Sequence, residues 1–403
     1  MAYDERYSSR FGFRLTPWRW AMLAFLLLFL VVAGYRFAFG LGGTGGFLGS
    51  VTNLNDQWTW GLWKYLVFPA VALAGCGYGT VFLAHVLHIR AFYPIVRVAM
   101  VVSLLGYSIA MVGLLFDITV YYNFWRPFVY WGYTSILFEV LWCMTLYWTI
   151  QILEFGHIAF ERIDAPLIYK TLDRLMPILI CVGIMLPTLH QASLGGLFIA
   201  TTQLYPAWWS LWIPWFFMIS SLMVGPAVVA FSCWALCRIY GKRFEDLMPS
   251  LTKLCLVGAG LMVLYVVLKV WDLTARGAWG YVFNGTLQGN MFLLEHVVFL
   301  LVPLLMFLTP SIRNSVGGLI TASLLCGVGV ILNRTNVIFT GMAPAYTQTY
   351  FPTWMEWVGF FGLLIGAVLV ILFFVENFRV LEGVSDAEKA EKGVAATPAA
   401  VQG

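Results

Sequence analysis

Charged side chains are scarce in this 403-residue chain: they make up 10% of it, whereas hydrophobic residues make up 61%. A soluble domain averages about 25% charged residues, so the composition excludes an ordinary soluble protein. The formal net charge of +4 includes no basic cluster suited to nucleic acid. The first residues also lack the short apolar core and small-residue cleavage site of a removable signal peptide, so we expect the first apolar segment to be retained. These absences predict a polytopic protein whose surroundings are the lipid bilayer.

Metal-binding patterns are absent as well. The seven cysteines lie in apolar runs, and no pair has a CxxC spacing: Cys76, Cys143, Cys181, Cys233, Cys237, Cys255 and Cys326. We therefore predict no metal site and no iron–sulfur cluster in this chain. A haem between helices needs two facing histidines, and only His190 with His296 forms a plausible outer pair. Haem is therefore kept as an alternative only. The glycine-rich stretch near residues 40–46 has no GK[ST] and no following strand, which excludes a phosphate-binding loop.

Ten apolar segments are long enough to span a membrane, since a spanning helix needs about 20 residues. They run over residues 18–39, 60–88, 93–122, 131–157, 172–200, 208–239, 250–273, 289–309, 316–333 and 354–377. Arg and Lys concentrate in the loops that would face one side together with both ends, whereas the other loops carry few, Arg334 among them. Both termini are therefore predicted to be cytoplasmic. Residues 1–17 form a cytoplasmic segment, 18–377 the transmembrane domain and 378–403 a disordered tail in this interpretation.

The loops on the opposite side are longer and poorer in charge. Residues 40–57, 274–288 and 334–352 mix aromatic residues with Gly, Asn and Thr. Such a surface could dock a partner outside the membrane. The alternative is that these segments simply cap the helix bundle.

Three ionisable residues interrupt the apolar segments: Asp117, Glu139 and His190. Threaded as above, they lie in the same outer third of the membrane, where desolvating a charge costs several kcal/mol or more. Pro187 precedes the histidine and can kink its helix, a feature tolerated where a helix lines a cavity. We therefore predict that an acid from the third helix, an acid from the fourth and an imidazole from the fifth surround one hollow that handles protons. Gln191 adds hydrogen-bonding groups there.

A deeper polar layer follows on the third and fourth segments. Tyr147, Gln151 and Glu154 recur at helical spacing and share one face, and Tyr107 lies on the preceding segment. This layer is a candidate proton relay from the cytoplasmic side. The alternative is a set of interhelical hydrogen bonds that hold the bundle together, with Glu154 extending to the interface. In the later segments, the spacing of Lys269 and Asp272 is compatible with a mutual ion pair.

Four stretches carry a resemblance: residues 94–123, 135–155 with SILFEVLWCMTLYWTIQILEF, 186–199 with LPTLHQASLGGLFI, and 350–357 with YFPTWMEW. They resemble the NrfD-like family of polysulfide-reductase membrane subunits. The ten-helix branch looks most similar; it includes the membrane subunits of uptake hydrogenases and of the periplasmic menaquinone reductase complex. The likeness runs from about residue 20 to 375.

The resemblance implies a haem-free bundle in the bacterial inner membrane that binds quinone, here menaquinone. It implies a periplasmic iron–sulfur subunit that delivers electrons, with molybdopterin-like or multihaem cytochrome subunits or a hydrogenase beyond it. On the matching motifs, it points to His190, Gln191, Asp117 and Glu139 as quinone-site residues. Reduction takes two electrons and two protons, so His190 would stabilise the developing charge and an acid would supply protons. The alternatives are a hydrogenase subunit within the same family and, in another class, an ion or solute transporter.

Overall fold

A computed structural model describes residues 11–160, 165–201 and 203–381. In these ranges there are helices and no strands, and ten helices are long and apolar enough to cross a membrane. We number them α1 (Pro17–Phe39), α2 (Leu62–Val86), α3 (Arg90–Asp117), α4 (Ile136–Phe160), α5 (Leu167–Gly196), α6 (Ile213–Tyr240), α7 (Glu245–Ala275), α8 (Leu287–Leu308), α9 (Val316–Ala345) and α10 (Trp354–Asn377). The prediction of an all-α, multi-pass membrane protein is confirmed. The cytoplasmic position of both termini stays a prediction, and residues 1–10 and 382–403 lie outside the described ranges.

Two helix ends differ from the sequence prediction in ways that matter for the site. α3 ends at Asp117, so the aromatic residues that follow belong to a connecting segment of short turns before α4. α9 continues past Asn333, because a π-helical stretch, Asn336–Thr340, extends it toward Ala345. Arg334, which the sequence places in an outer loop, therefore lies inside a helix and is only 1% exposed.

The helices form two groups of four. In the first group α2 packs on α3, α3 on α4, and α4 along most of α5. In the second group α6 packs along α7, α8 contacts both α7 and α9, and α9 returns to α6. The groups meet where α2 and α5 contact α6 and where α2 contacts α9. Each group therefore encloses its own interior, and the two interiors are separated by packed helices.

The outer pair α1 and α10 packs together on the side of the first group, against α2 and α3. A buried ion pair between Arg19 and Glu376, 2.6 Å from Nη1 to Oε1, joins one end of this pair. Phe378 and Val380 follow α10 and are buried, although the sequence assigns them to the tail. The tail prediction therefore concerns residues that mostly lie outside the described ranges.

Small residues allow α2 to pack closely on two neighbours. A Cβ atom added at Gly77 would lie 2.4 Å from Ser103 Cβ, and one added at Gly75 would lie 2.4 Å from Ser221 Oγ. Helices in membranes associate through such small-residue contacts, because lipid supplies no hydrophobic driving force between them. The close approach brings polar groups of α2, α3 and α6 within reach of one another.

The segment before α10 closes the end of the first group. Thr353 and Glu356 form a capping box at the start of α10, which satisfies two backbone donors there. The Tyr350 hydroxyl donates to the Glu356 carboxylate and accepts from the Leu62 backbone N–H at 2.9 Å. Burial and the neighbouring Glu356 carboxylate raise the pKa of Tyr350 above its usual range, so the phenol keeps the proton that this bond needs. The segment is thereby fixed to the start of α2.

Candidate functional site

A buried polar cluster fills the interior of the first group, and we call it the tyrosine cluster: Tyr78, Ser103, Tyr107, Tyr147, Gln151 and His190. Gln151 Nε2 donates to Ser103 Oγ at 2.6 Å, and the Ser103 and Tyr147 hydroxyls lie 3.4 Å apart. The rings of Tyr107 and Tyr147 meet edge to face at 4.6 Å between centroids. The Tyr107 hydroxyl lies 3.5 Å from His190 Nδ1, at the limit of hydrogen-bond distance. The cluster thus spans α3, α4 and α5 as two hydrogen-bonded parts, Gln151–Ser103–Tyr147 and Tyr107–His190, which are joined by the ring contact of the two tyrosines.

His190 and Gln191 lie at one end of this cluster, and both are 0% exposed. Among the described residues, His190 Nε2 has no hydrogen-bond partner, and the Gln191 amide, although it lies next to the Tyr107 hydroxyl, forms no hydrogen bond of normal geometry. Leaving such buried groups unpaired costs about 1–3 kcal/mol each. Unpaired polar groups in a native interior are therefore typical of a site that receives water or a ligand.

A small cavity adjoins the other end of the cluster. Tyr147, Gln151 and Glu154 line it together with Gly183, which leaves space beside the carboxylate because it has no side chain. The space open to the centre of a water molecule is about 10 Å³, which is room for roughly one water. Glu154 is 6% exposed, so it is not an interfacial side chain that extends to water. A water here would connect Glu154 with Gln151 and Tyr147.

Asp117 forms its contacts with a different set of residues from those around His190. Its Oδ2 atom pairs with Lys64 Nζ at 3.0 Å, at the outer end of α3. Arg36 from α1 lies beside this pair and donates to the backbone carbonyls of Phe116 and Ile118, at 2.9 and 2.6 Å. These carbonyls are the last ones of the helix, where a cation is favourable. Asp117 therefore belongs to a charged cluster that joins α1, α2 and α3.

Glu139 has a different setting again. It lies near the start of α4 on an exposed face, with no side-chain hydrogen bond or ion pair in the described part of the chain. The same stretch of α4 forms one wall of an open groove of about 730 Å³, lined by Arg126, Pro127, Tyr130, Gly132, Ser135, Leu137, Phe138 and Leu141. This volume is within the range of about 300–1,000 Å³ that small-molecule sites occupy.

The structure thus joins some predicted site residues and separates others. Tyr107, Tyr147, Gln151, Glu154 and His190 share one buried neighbourhood, and Gln191 lies next to Tyr107. Asp117 and Glu139 make no contact with His190 in the described ranges. The catalytic roles assigned to these residues stay predictions.

Sequence reasoning missed several partners. Tyr78, whose hydroxyl lies 3.0 Å from Ser221 Oγ, comes from a stretch that reads only as small and apolar. Lys64 reads as a charge at a segment end, yet it is the partner of Asp117. Only a three-dimensional arrangement identifies such pairs, because their members are far apart in the chain.

A second buried polar cluster lies in the other helix group, and we call it the ionic cluster. The Glu295 carboxylate accepts from Asn333 at 2.7 Å, Asn336 at 2.8 Å and Trp208 at 3.0 Å. Arg334 donates to Asn333 and, at 2.8 Å, to Ser220. Asp272 does not pair with Lys269; it binds Arg276 at 2.7 Å and accepts from Ser210 at 2.6 Å. This cluster contains full charges, whereas the tyrosine cluster contains mostly hydroxyls and amides.

Comparison with known sequences places the chain in a family. The family model described as "Polysulphide reductase, NrfD" matches residues 50–345. The chain therefore belongs to the NrfD family, as the resemblance predicted. The match covers both helix groups, from the segment before α2 to the end of α9.

Three relatives match over most of their length. The "Probable Ni/Fe-hydrogenase 2 b-type cytochrome subunit" of Escherichia coli K12 is 30% identical over 338 residues, 81% of this chain and 85% of its own. The "Menaquinone reductase, integral membrane subunit" of Nitratidesulfovibrio vulgaris is 26% identical over 388 residues, 87% of this chain and 88% of its own. A further protein of that bacterium is 31% identical over 363 residues, 87% of this chain and 91% of its own.

The words "b-type cytochrome" in one relative's name raise the question of haem ligation. His190 faces Tyr107, whereas His296 stacks on Phe292 at 3.9 Å and lies 3.5 Å from Glu295. The two histidines of the predicted outer pair thus belong to different helix groups, and their side chains do not face a shared space. The residues present do not fit a bis-histidine haem between these two positions.

Proposed function

We propose that this chain is the integral membrane, quinone-binding subunit of a respiratory oxidoreductase complex in a bacterial inner membrane. A periplasmic iron–sulfur subunit would pass electrons to menaquinone at the chain's outer face. Family membership supports the proposal, and so does the name of a relative that is the membrane subunit of a menaquinone reductase. The single observation that carries it here is the pair of buried, unpartnered groups on His190 and Gln191.

His190 Nε2 and the Gln191 amide are the groups that would hold a quinone carbonyl. An N–H aimed at that oxygen stabilises the negative charge that develops as the quinone is reduced, and it does so strongly in a dry interior. Tyr107 beside Nδ1 would orient the ring and fix which nitrogen carries the proton. His190 is fully buried, and the cavity beside Gln151 holds only about one water, so a quinone must reach His190 by side-chain or helix movement. The open groove along α4 offers an entrance from the bilayer near Glu139.

We further propose that protons reach this position along the tyrosine cluster. The proposed path begins at Glu154 and the adjoining cavity. It continues in space through Gln151, Ser103 and Tyr147, and the ring contact of Tyr147 with Tyr107 leads to His190. Hydroxyls both donate and accept, so such a path can carry a proton without a permanent buried charge. If Glu154 faces the cytoplasmic side, each proton crosses part of the membrane field, which is worth about 2.3 kcal/mol per charge per 100 mV for the whole thickness.

The test uses the complex purified through this chain, with turnover of a menaquinone analogue as the readout. His190→Ala should reduce that turnover at least about 100-fold, the low end of what a positioned acid–base group contributes. Reduction of an artificial dye by the partner subunits should be unchanged, because it bypasses the membrane subunit. His157→Gln is the matched control, since His157 lies on α4 beside Asp173 and Tyr169, away from His190.

Full quinone turnover in an assembled His190→Ala complex would remove His190 from the site while leaving the general function in place. If the wild-type complex reduces the artificial dye but turns over no quinone, the proposed function itself is wrong. The hydrogenase relative favours hydrogen as the alternative electron source. The identity of the subunits that co-purify decides between a hydrogenase and another donor.

A further inference from the structure

Lys269 is a buried lysine that forms no ion pair in the described part of the chain. It lies on α7, six residues before the helix ends at Ala275, and it is 4% exposed. Among the described residues no carboxylate lies within 4.0 Å of its Nζ, and no hydrogen bond reaches it. Two aromatic rings lie beside the ammonium group: the centroid of Phe216 is 4.6 Å from Nζ, and that of Phe292 is 5.6 Å away. Ring faces stabilise a desolvated cation by much less than the cost of removing it from water.

The charges around Lys269 do not balance. Asp272 is bound in two places by Arg276, and Glu295 accepts from three neutral donors beside Arg334. Within the part of the chain that the structure describes, two carboxylates thus face two arginines, which leaves the lysine as an extra positive charge. An arginine cannot release its proton in a protein, whereas a buried lysine can. Loss of the Lys269 proton would therefore bring the net charge of this interior to zero.

The local backbone adds an independent observation. Glu295 and His296 lie in the π-helical stretch Leu294–Leu301, and Asn336 opens the π-helical stretch Asn336–Thr340. The Asn336–Glu295 hydrogen bond joins the two stretches at this cluster. π-helical turns are rare and occur often at functional sites. His296 Nε2 and Asn336 Oδ1 are buried there without a hydrogen-bond partner among the described residues.

We propose that Lys269 is the proton-exchanging group of a second site, in the interior of α6–α9, that works independently of the His190 site. Its ammonium releases one proton to water and becomes a neutral amine, and the reverse step restores the charge. No electron or other reactant is involved. The charged and titratable groups that face it from the surrounding helices are Tyr265, Asp272, Arg276, Glu295, His296 and Arg334.

Thermal unfolding at several pH values tests this proposal without any electron donor. The protein, as it purifies with its partners, is compared with Lys269→Arg, Lys269→Met and Lys269→Gln. Lys269→Arg keeps the charge and the ring contacts but cannot release the proton. Lys253→Met is the control, since Lys253 lies on the same helix but is exposed.

We expect the Tm of wild type to rise relative to that of Lys269→Arg by roughly 2–4 °C between about pH 6 and pH 9. The sign follows from linkage: the unfolded chain keeps this lysine protonated, the folded protein sheds the proton, and stability then rises with pH. The Tm of Lys253→Met should change with pH in the same way as that of wild type. Assembly of the Met and Gln variants with failure of the Arg variant would give the same support.

Parallel Tm curves for wild type and Lys269→Arg would overturn the proposal, because they would show a permanently charged lysine. The proposal is also overturned if only the Arg variant assembles, or if no Lys269 variant does. A position that holds a neutral amine for part of the time must accept the neutral side chain of glutamine. A positive result together with inactive quinone turnover would retain this site and reject only the proposed function.

Discussion

The two helix groups hold their polar residues in different ways. In α2–α5, the tyrosine cluster uses hydroxyls, an amide and an imidazole, and several of its polar atoms have no partner among the described residues. In α6–α9, the Glu295 carboxylate has three donors and Arg334 is bound to Asn333 and Ser220, so most of its charges are paired, although His296 Nε2 and Asn336 Oδ1 also have no partner among the described residues. Unfilled neutral groups are suited to receiving a ligand or passing a proton. Paired charges are suited to fixing geometry, because breaking one leaves the other charge buried.

The largest effect is expected from Glu295→Ala. It leaves Arg334 and Lys269 without the nearby carboxylate and leaves the Trp208, Asn333 and Asn336 donors unpaired. Removing one partner of a buried charge network costs about 3–5 kcal/mol. Thermal unfolding of the purified protein measures the loss, and Glu139→Ala, on an exposed face, should change nothing measurable. Equal Tm values for the two variants would show that the ionic cluster of α6–α9 does not stabilise the fold.

A smaller effect is expected where α2 packs on α3. Gly77→Ala places a Cβ 2.4 Å from Ser103 Cβ, so the helices must separate. Overpacking of this kind costs about 1–3 kcal/mol, and it should also lower quinone turnover because it displaces Ser103 from Gln151. Gly79→Ala is the control: its new Cβ would meet nothing closer than Leu222 at 3.8 Å. If both alanine variants behave alike, close packing does not position the tyrosine cluster.

The smallest effect is expected at the charged cluster of α1–α3. Lys64 is partly exposed, and exposed ion pairs contribute only about 0–1 kcal/mol. Lys64→Met should therefore lower the Tm slightly, and added salt should narrow the difference between variant and wild type because salt screens the pair. The measurement is unfolding at low and high ionic strength. A large, salt-independent loss would show that Asp117 depends on Lys64 as strongly as Glu295 depends on its donors.

The sequence predicted the ten helices because each needs only a long apolar run, which is a local property. It also predicted the face of α4 that carries Tyr147, Gln151 and Glu154, since helical spacing fixes that face. It did not predict the partners of Asp117 or Asp272. The Lys269–Asp272 pair that the spacing allowed does not form, because Arg276, which directly follows α7 and lies one turn beyond Asp272, donates to both carboxylate oxygens.

Composition and periodicity alone determined that this is a membrane protein with several spanning helices. The free-energy cost of placing charge in lipid applies to each segment by itself, so each spanning segment can be identified from its own residues. The division into two helix groups, the burial of Arg334 and the isolation of Lys269 were decided by tertiary structure. Those features depend on which side chains meet across helices distant in the chain, and the free energy of a buried charge is set by its neighbours in space.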